Sequence, residues 1–174
     1  MLFSSYIYKV NIYIAEITGQ KGILSADESW HCAKVLRRRP GDHLHLIDRM
    51  GNFYEAVLDV VSDTQCTVKV TKGPDPQDES PYHLHLVIAP TKQIDRIEWM
   101  IEKAVEVGIQ ELSFMTCTNS ERTAIKIDRV LRIVESAVKQ SLQARIPKIN
   151  ELVQYKEILK HAKADQKLIA MESE

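Results

Sequence analysis

Apolar residues recur every three or four positions between Ile94 and Gly108, the spacing that places one apolar stripe on an α-helix. A short apolar segment precedes this helix (LHLVIA, residues 84–89) and another follows it (ELSFMT, residues 111–116). Pro90 ends the first segment, and Gly108 is a typical stop for the helix. The pattern predicts a β-α-β unit whose two strands run parallel in one sheet.

The same helical period returns from Ile127 to Ser141 and predicts a second long helix. A short strand (148–152), a shorter helix (155–162) and a last strand (Lys167 to Met171) complete the predicted α/β domain. The chain stops at Glu174, directly after a strand that no helix follows. We therefore expect this domain to lack a C-terminal part.

The N-terminal part shows shorter apolar segments separated by turn residues, which is typical of antiparallel strands. These strands are predicted over residues 6–15, 43–48, 53–61 and 65–70, with a turn at residues 19–22. Ser25 and Glu28 form a capping-box pattern, so a helix is expected from there to about Arg37, before Pro40 and Gly41. We expect a small β-barrel carrying one helix.

The stretch TKGPDPQDESP, residues 71–81, is rich in proline and acidic residues, so it indicates a linker. The sequence thus predicts a barrel domain over 1–72, a linker over 73–81 and an α/β domain over 82–174. Hydrophobic content of 44% and charged content of 27% suit a globular protein. No apolar run reaches the roughly 18 residues that span a bilayer.

Formal net charge is −1, so binding to nucleic acid requires a local basic patch. Three cysteines without a CxxC pair suit a reducing compartment, and the cytoplasm is the expected location. None of the six glycines lies in a GxGxxG or GxxxxGK pattern. This disfavours a standard Rossmann turn for a nucleotide or S-adenosyl cofactor.

The strongest basic patch lies near the end of the first predicted helix, at His31, Lys34, Arg37, Arg38 and Arg39. Closely spaced cations can contact several phosphates of a nucleic acid. Cations at a helix C-terminus also stabilise the helix dipole, so a solvated helix end explains the same pattern. The residues alone leave both interpretations open.

Two further sets of polar residues are candidates for a metal or ligand site. His43 with His45, and His83 with His85, each place two imidazoles on one face of a strand. Neither pair has a carboxylate or cysteine at a telling distance, so the pattern favours ordinary strand histidines and no metal site. A looser set, near the edge of the sheet where α/β domains bind ligands, fits either a site or surface salt bridges: Lys92, Arg96, Arg122 and Gln140.

Four segments together resemble one known family. HCAKVLRRRPGD (residues 31–42) resembles its signature HxxxVLRxxxGD, and KQIDRIE (92–98) with EKAVEVG (102–108) resembles its KxDRxE…KATELG stretch. SER (120–122) matches its SERS loop, and Gln140-Ser141 followed by Pro147 matches its EQSGRxxxP segment. The family is the RsmE-type 16S ribosomal RNA methyltransferases of the SPOUT class, and the resemblance covers about residues 12–174.

The resemblance implies a PUA-like barrel joined to a knotted SPOUT domain that forms homodimers. It implies methylation of N3 of a uridine in 16S rRNA of the small ribosomal subunit, with S-adenosylmethionine as cofactor. It assigns RNA binding to His31, Lys34, Arg37, Arg38, Lys92 and Arg96. Arg122 and Gln140 become tentative catalytic residues at the methyl-transfer site.

The sequence also departs from the family. Leu142 and Gln143 replace a glycine and an arginine, and the GPEGG and LGxxILRxETA segments that hold the cofactor are not in the chain. Cofactor-binding residues are therefore expected beyond Glu174, and the homodimer is expected to be weakened. The resemblance leaves three functions to separate: a methyltransferase, a non-catalytic RNA-binding module, and a misfolding-prone remnant.

Overall fold

The computed structural model describes residues 11–76, 80–161 and 163–170. Its first part is a closed barrel of five strands in the order β1-β2-β5-β4-β3. The strands are β1 (Ile12–Thr18), β2 (Lys21–Leu24), β3 (His43–Ile47), β4 (Asn52–Val60) and β5 (Thr67–Pro76). Between β2 and β3 the chain forms helix α1 (Ala26–Trp30) and a π-helical segment (His31–Val35).

The barrel closes because β1 pairs with β3 in parallel, whereas its other pairings are antiparallel. Alternation along the strands fills the interior: Leu44 and Leu46 of β3 are buried, while His43 and His45 are exposed. The predicted barrel is confirmed. Residues 6–10 of the first predicted strand lie outside the described residues.

Strand β2 corrects the turn expected over residues 19–22. The turn occupies Gly19 and Gln20, and Gly22 lies within β2, opposite Val68 of β5. A Cβ atom at Gly22 would lie 2.7 Å from the Cγ2 atom of Val68. This glycine therefore permits the close approach of two barrel strands rather than a turn.

The second part is a three-stranded parallel sheet in the order β6-β7-β8. Its elements are β6 (His85–Ile88), α2 (Ile94–Glu106), β7 (Glu111–Thr116), α3 (Ile127–Gln140), β8 (Lys148–Gln154) and α4 (Tyr155–His161). Gly108 has φ +83°, the left-handed conformation expected after the end of α2. The predicted β-α-β unit and the two following repeats up to α4 are thus confirmed.

Two expectations near segment ends need adjustment. The strand predicted from Lys167 to Met171 is wrong over residues 167–170, where the backbone forms no strand. Leu168 and Ile169 are 91% and 74% exposed, so no sheet neighbour covers them; Met171 lies outside the described residues. Strand β5 continues through Pro76, and the domain division at 73–81 stays a prediction.

The barrel packs against α3 through a continuous apolar cluster. Ile12, Ile14 and Ile47 of the barrel belong to the same buried cluster as Ala137 and Val138 of α3. Two ion pairs cross the same junction, Lys139–Glu28 at 2.6 Å and Arg49–Glu135 at 2.5 Å. The position of the barrel relative to the parallel sheet is therefore fixed by apolar packing and by charge.

Within the described parts of the chain, no helix has the length and apolar character needed to cross a membrane.

Candidate RNA-binding site

Helix α1 and the π-helical segment together form one basic (cationic) helix over residues 26–35. Its N-cap is Ser25, whose hydroxyl accepts a hydrogen bond from the backbone N–H of Glu28 at 3.3 Å. The sequence predicts that the Glu28 carboxylate completes a capping box. In the structure that carboxylate accepts instead from the Nζ atom of Lys139 on α3, at 2.6 Å. The start of the basic helix is therefore tied to the other domain, which holds the following cations in a defined position.

After Trp30 the helix widens into the π-helical segment. The N–H of Leu36 donates to the carbonyl of His31 and the N–H of Arg38 to the carbonyl of Cys32, both at 3.0 Å. Cys32 is fully buried and anchors the segment on the barrel. Wide turns of this kind occur often at functional sites. The outward side carries Trp30, His31, Lys34, Val35, Arg37 and Arg39.

Acidic neighbours balance two of the predicted RNA-binding cations. The Nζ atom of Lys34 lies 2.8 Å from a carboxylate oxygen of Asp63, and Arg38 lies 3.9 Å from Asp42. Arg37 and Arg39 are exposed and form no ion pair with any residue that the structure describes. Arg39, which the family resemblance did not single out, therefore contributes more uncompensated positive charge than Arg38.

Arg37 adopts φ +50°, the left-handed region that arginine rarely occupies. For an L-residue this conformation costs on the order of 1 kcal/mol. It ends the π-helical segment much as glycine ends many helices, and the guanidinium stays exposed. Backbone strain at an exposed cation is consistent with a functional role for this turn.

A second group of cations lies at the carboxyl edge of the parallel sheet. Arg122, in the loop after β7, donates from Nε to the carbonyl of Thr91 at 3.1 Å and from Nη2 to that of Lys92 at 3.0 Å. These bonds join the loops that follow β6 and β7. Lys92 and Arg96 are exposed beside them. Arg122 therefore positions the segment that presents the other two cations.

A groove of about 300 Å³ opens between the starts of α2 and α3, next to Arg122. Isoleucines form much of its wall, and its charged lining comprises Arg122, Lys126, Arg129 and Glu98. Arg129 pairs with Glu98, Nε to Oε1 at 2.5 Å and Nη2 to Oε2 at 2.8 Å. Apolar walls with a cationic rim suit a flat apolar group that carries an anion.

The structure does not bring Gln140 to Arg122. Gln140 ends α3, whereas Arg122 precedes its start, and a helix of 14 residues is about 21 Å long. Gln140 follows Lys139, which pairs with Glu28 at the start of the basic helix. Within the chain, the two tentative catalytic residues thus belong to different surroundings, and the role of each stays a prediction.

A polar cluster missed by the sequence analysis crosses the amino ends of β6, β7 and β8. The Glu111 carboxylate accepts from the Nδ2 atom of Asn150 at 2.6 Å and from the Nζ atom of Lys148 at 3.1 Å. Burial acts to raise the pKa of Glu111, but these hydrogen bonds and nearby imidazoles outweigh burial and lower it to about 2. The cluster stabilises the sheet at the edge opposite Arg122.

His83 and His85 belong to this cluster, but His83 lies before β6, so the expectation that both lie on one strand is wrong. The Nε2 atom of His83 lies 3.3 Å from Glu111, and that of His85 lies 2.7 Å from the hydroxyl of buried Ser113. Burial lowers the pKa of His85, which keeps its imidazole neutral at neutral pH. Among the residues that the structure describes, no group of three or more potential ligands is placed to hold a metal ion.

The described residues of the α/β domain contain no glycine-rich turn, and the expectation that residues beyond Glu174 bind S-adenosylmethionine stays a prediction. The only glycine described in the α/β domain is Gly108, which lies between α2 and β7, away from the carboxyl edge. A Cβ atom there would meet nothing within 4 Å, so the positive φ of +83° after the end of α2, and not crowding, accounts for this glycine. The residues present at the carboxyl edge offer cations and an apolar groove.

Comparison with known proteins agrees with this architecture. Residues 24–71 match the family described as RNA methyltransferase PUA domain, and residues 78–174 match RNA methyltransferase domain. These matches define the fold as that of the RNA methyltransferase class. The chain belongs to the RNA methyltransferase domain family, because that match covers more than half of it.

Several relatives carry related names. A crystal structure of a probable rRNA-methyltransferase from Porphyromonas gingivalis shares 37% identity at a TM-score of 0.75, covering 91% of this chain and 65% of that one. Ribosomal RNA small subunit methyltransferase E from Mycobacterium bovis is 29% identical over 142 residues, or 76% of this chain and 52% of that protein.

The fold is also shared with the enzyme of the same name from Neisseria gonorrhoeae, which was solved bound to S-adenosyl methionine. It is 24% identical at a TM-score of 0.76, covering 89% of this chain and 66% of that one. The chain spans about half the length of the curated relatives it matches. The predicted PUA-like barrel with a SPOUT-type α/β domain is confirmed as the fold class.

Proposed function

We propose that the protein acts in the S-adenosylmethionine-dependent methylation of N3 of a uridine in 16S rRNA, and that this chain supplies the RNA-binding side. The observation that carries the proposal is the exposed cationic helix on a barrel of the RNA methyltransferase PUA family. The name of the relative from Porphyromonas gingivalis supports ribosomal RNA as the substrate, and the name of the relative from Mycobacterium bovis supports the small subunit.

On the barrel, we assign phosphate contacts to His31, Lys34, Arg37 and Arg38, and we add Arg39 to them. Such contacts are sequence-independent and weaken as salt displaces the protein from the phosphates. Arg37 and Arg39 carry most of this binding, because Lys34 and Arg38 have acidic partners.

At the carboxyl edge, Lys92 and Arg96 contact the RNA near the target nucleotide. Arg122 acts by positioning Lys92 rather than by touching the reacting atoms, because its guanidinium bonds two backbone carbonyls. Gln140 contacts RNA that runs along the junction of barrel and α3. The packed junction keeps the two cationic surfaces in a fixed relation.

The cofactor, when bound to the protein, supplies the methyl group, and the residues of this chain bind and orient the RNA. Uridine N3 carries a proton that must leave before the nitrogen accepts a methyl group. The partner is 16S rRNA or the small ribosomal subunit, the assembly is a homodimer, and the location is cytoplasmic. These assignments belong to the same proposal.

A non-catalytic RNA-binding module is the alternative. The exposed cations Arg37 and Arg39 need no cofactor to contact phosphates, which favours it. Both functions use the same cationic helix, so RNA binding alone does not separate them.

Deleting the coding region of this chain separates the two functions. We expect 3-methyluridine to disappear from nucleoside digests of purified 16S rRNA, measured by mass spectrometry, and to return when the region is restored. Other methylated nucleosides in the same digest serve as the internal control. An unchanged amount of 3-methyluridine contradicts the methylation proposal and leaves the RNA-binding module.

A further inference from the structure

Trp30 is an exposed aromatic residue that the proposed phosphate contacts do not use. It is the last residue of α1, and 54% of its surface is exposed although tryptophan is largely buried in most folds. Its neighbours Glu28 and Ser29 face inward and anchor the helix, through Lys139 and through Cys66. The indole is thus held on a rigid support without being needed to fill the core.

The π-helical segment places particular side chains beside this indole. In the π-helical segment hydrogen bonds join residues five apart, so Val35 lies about one turn after Trp30, and Lys34 precedes Val35 directly. Val35 is 49% exposed, and the Lys34 side chain is 53% exposed. An indole, an aliphatic side chain and cations therefore share one continuous outward surface.

The charges around Trp30 favour an anionic partner. The acidic residues of the segment are largely engaged, since Glu28 pairs with Lys139 and Asp42 lies near Arg38. Asp27 on α1 remains as one exposed acidic residue, whereas Arg37 and Arg39 are two exposed cations that form no ion pair with a described residue. RNA suits this patch better than a protein partner does, because RNA offers phosphates to the cations and flat bases to the indole.

We propose that Trp30 is a stacking platform for an unpaired base of the RNA, with Arg37 and Arg39 binding the adjacent phosphates. The proposal rests on the proposed function, because it takes RNA as the ligand. Only an unpaired base exposes its face to an indole, since the bases of a duplex cover one another. The barrel therefore binds a single-stranded segment of its RNA rather than a continuous duplex.

The experiment uses Trp99→Phe, which leaves Trp30 as the only one of the two tryptophans. A single-stranded RNA of about eight nucleotides should quench its emission, and the same sequence in a duplex should not. In fluorescence anisotropy, Trp30→Ala should weaken binding of the single strand about tenfold. Trp30→Phe should stay within about threefold of the wild type, because phenylalanine still stacks.

Trp99→Ala is the matched control, since Trp99 is 62% exposed on α2, and it should bind like the wild type. Unchanged emission at saturating RNA, or wild-type affinity in Trp30→Ala, overturns the stacking role while RNA binding stands. If the wild-type chain itself does not bind RNA, the proposed function fails first. Equal losses in Trp30→Ala and Trp30→Phe overturn stacking as well.

Discussion

Replacing Lys139 with Met is expected to lower the free energy of unfolding by about 2 kcal/mol. The change leaves the Glu28 carboxylate, whose side chain is 9% exposed, without its cationic partner. Breaking a fully buried pair costs about 3–5 kcal/mol. The expected loss of stability is smaller here because the Lys139 side chain is 32% exposed and water screens the pair. Urea denaturation at pH 7 measures the effect.

Lys34→Met is the matched control, because it removes a lysine from the pair with Asp63, in which both side chains are more than half exposed. It should cost less than about 1 kcal/mol. The double change Glu28→Gln with Lys139→Met should recover part of the loss, since no buried charge is left unpaired. Equal effects of the two single changes would show that the ion pair at the domain junction is not stabilising.

Glu111→Gln is expected to remove much of the acid sensitivity of the fold. The pKa of Glu111 is lowered to about 2 in the folded state, against 4.5 in the unfolded chain. A lowered carboxyl pKa stabilises the fold above the unfolded value, and this stabilisation is lost as pH falls from about 5 to 2. The shift corresponds to at most about 3 kcal/mol at neutral pH.

Denaturation series between pH 7 and pH 2 measure the difference between the wild type and Glu111→Gln. That difference should persist above the unfolded pKa of Glu111 and shrink below about pH 4. Burial lowers the pKa of His85 and the Glu111 carboxylate acts to raise it, so Glu111→Gln also loses more stability from His85 as pH falls below about 6.5. Glu151→Gln, an exposed change on β8, is the control. A constant difference at every pH contradicts the assignment to Glu111.

The helical and strand periods predicted most elements of the fold, because the buried faces of α2, α3 and the barrel strands repeat regularly. Gly22 misled the prediction, since a glycine for close strand packing resembles a glycine for a turn. Leu168 and Ile169 led to the prediction of a strand where none forms. Their apolar side chains fit a strand, but a strand also needs a hydrogen-bonding neighbour, which local sequence does not reveal.

The cationic helix of the candidate site was visible in the sequence, but its charge balance was not. Asp63, which pairs with Lys34, is brought there by the barrel from a different hairpin. The separation of Arg122 and Gln140 likewise follows from the length of α3, which the structure shows once both ends of the helix are known. Residue types and spacing thus found the surface, and tertiary contacts decided which of its cations are uncompensated.

The most direct test of the RNA-binding role is the salt dependence of binding to a 16S rRNA fragment, measured by anisotropy for the wild type and for Arg37→Gly with Arg39→Ala. Glycine accepts φ +50° without strain, so the variant keeps its fold while losing two cations. Lys156→Ala with Lys160→Ala on α4 changes the net charge equally. We predict at least about tenfold weaker binding for the arginine variant and a salt slope reduced by about 1–2, with the lysine control unchanged. Equal affinity and slope in all three proteins would contradict the account.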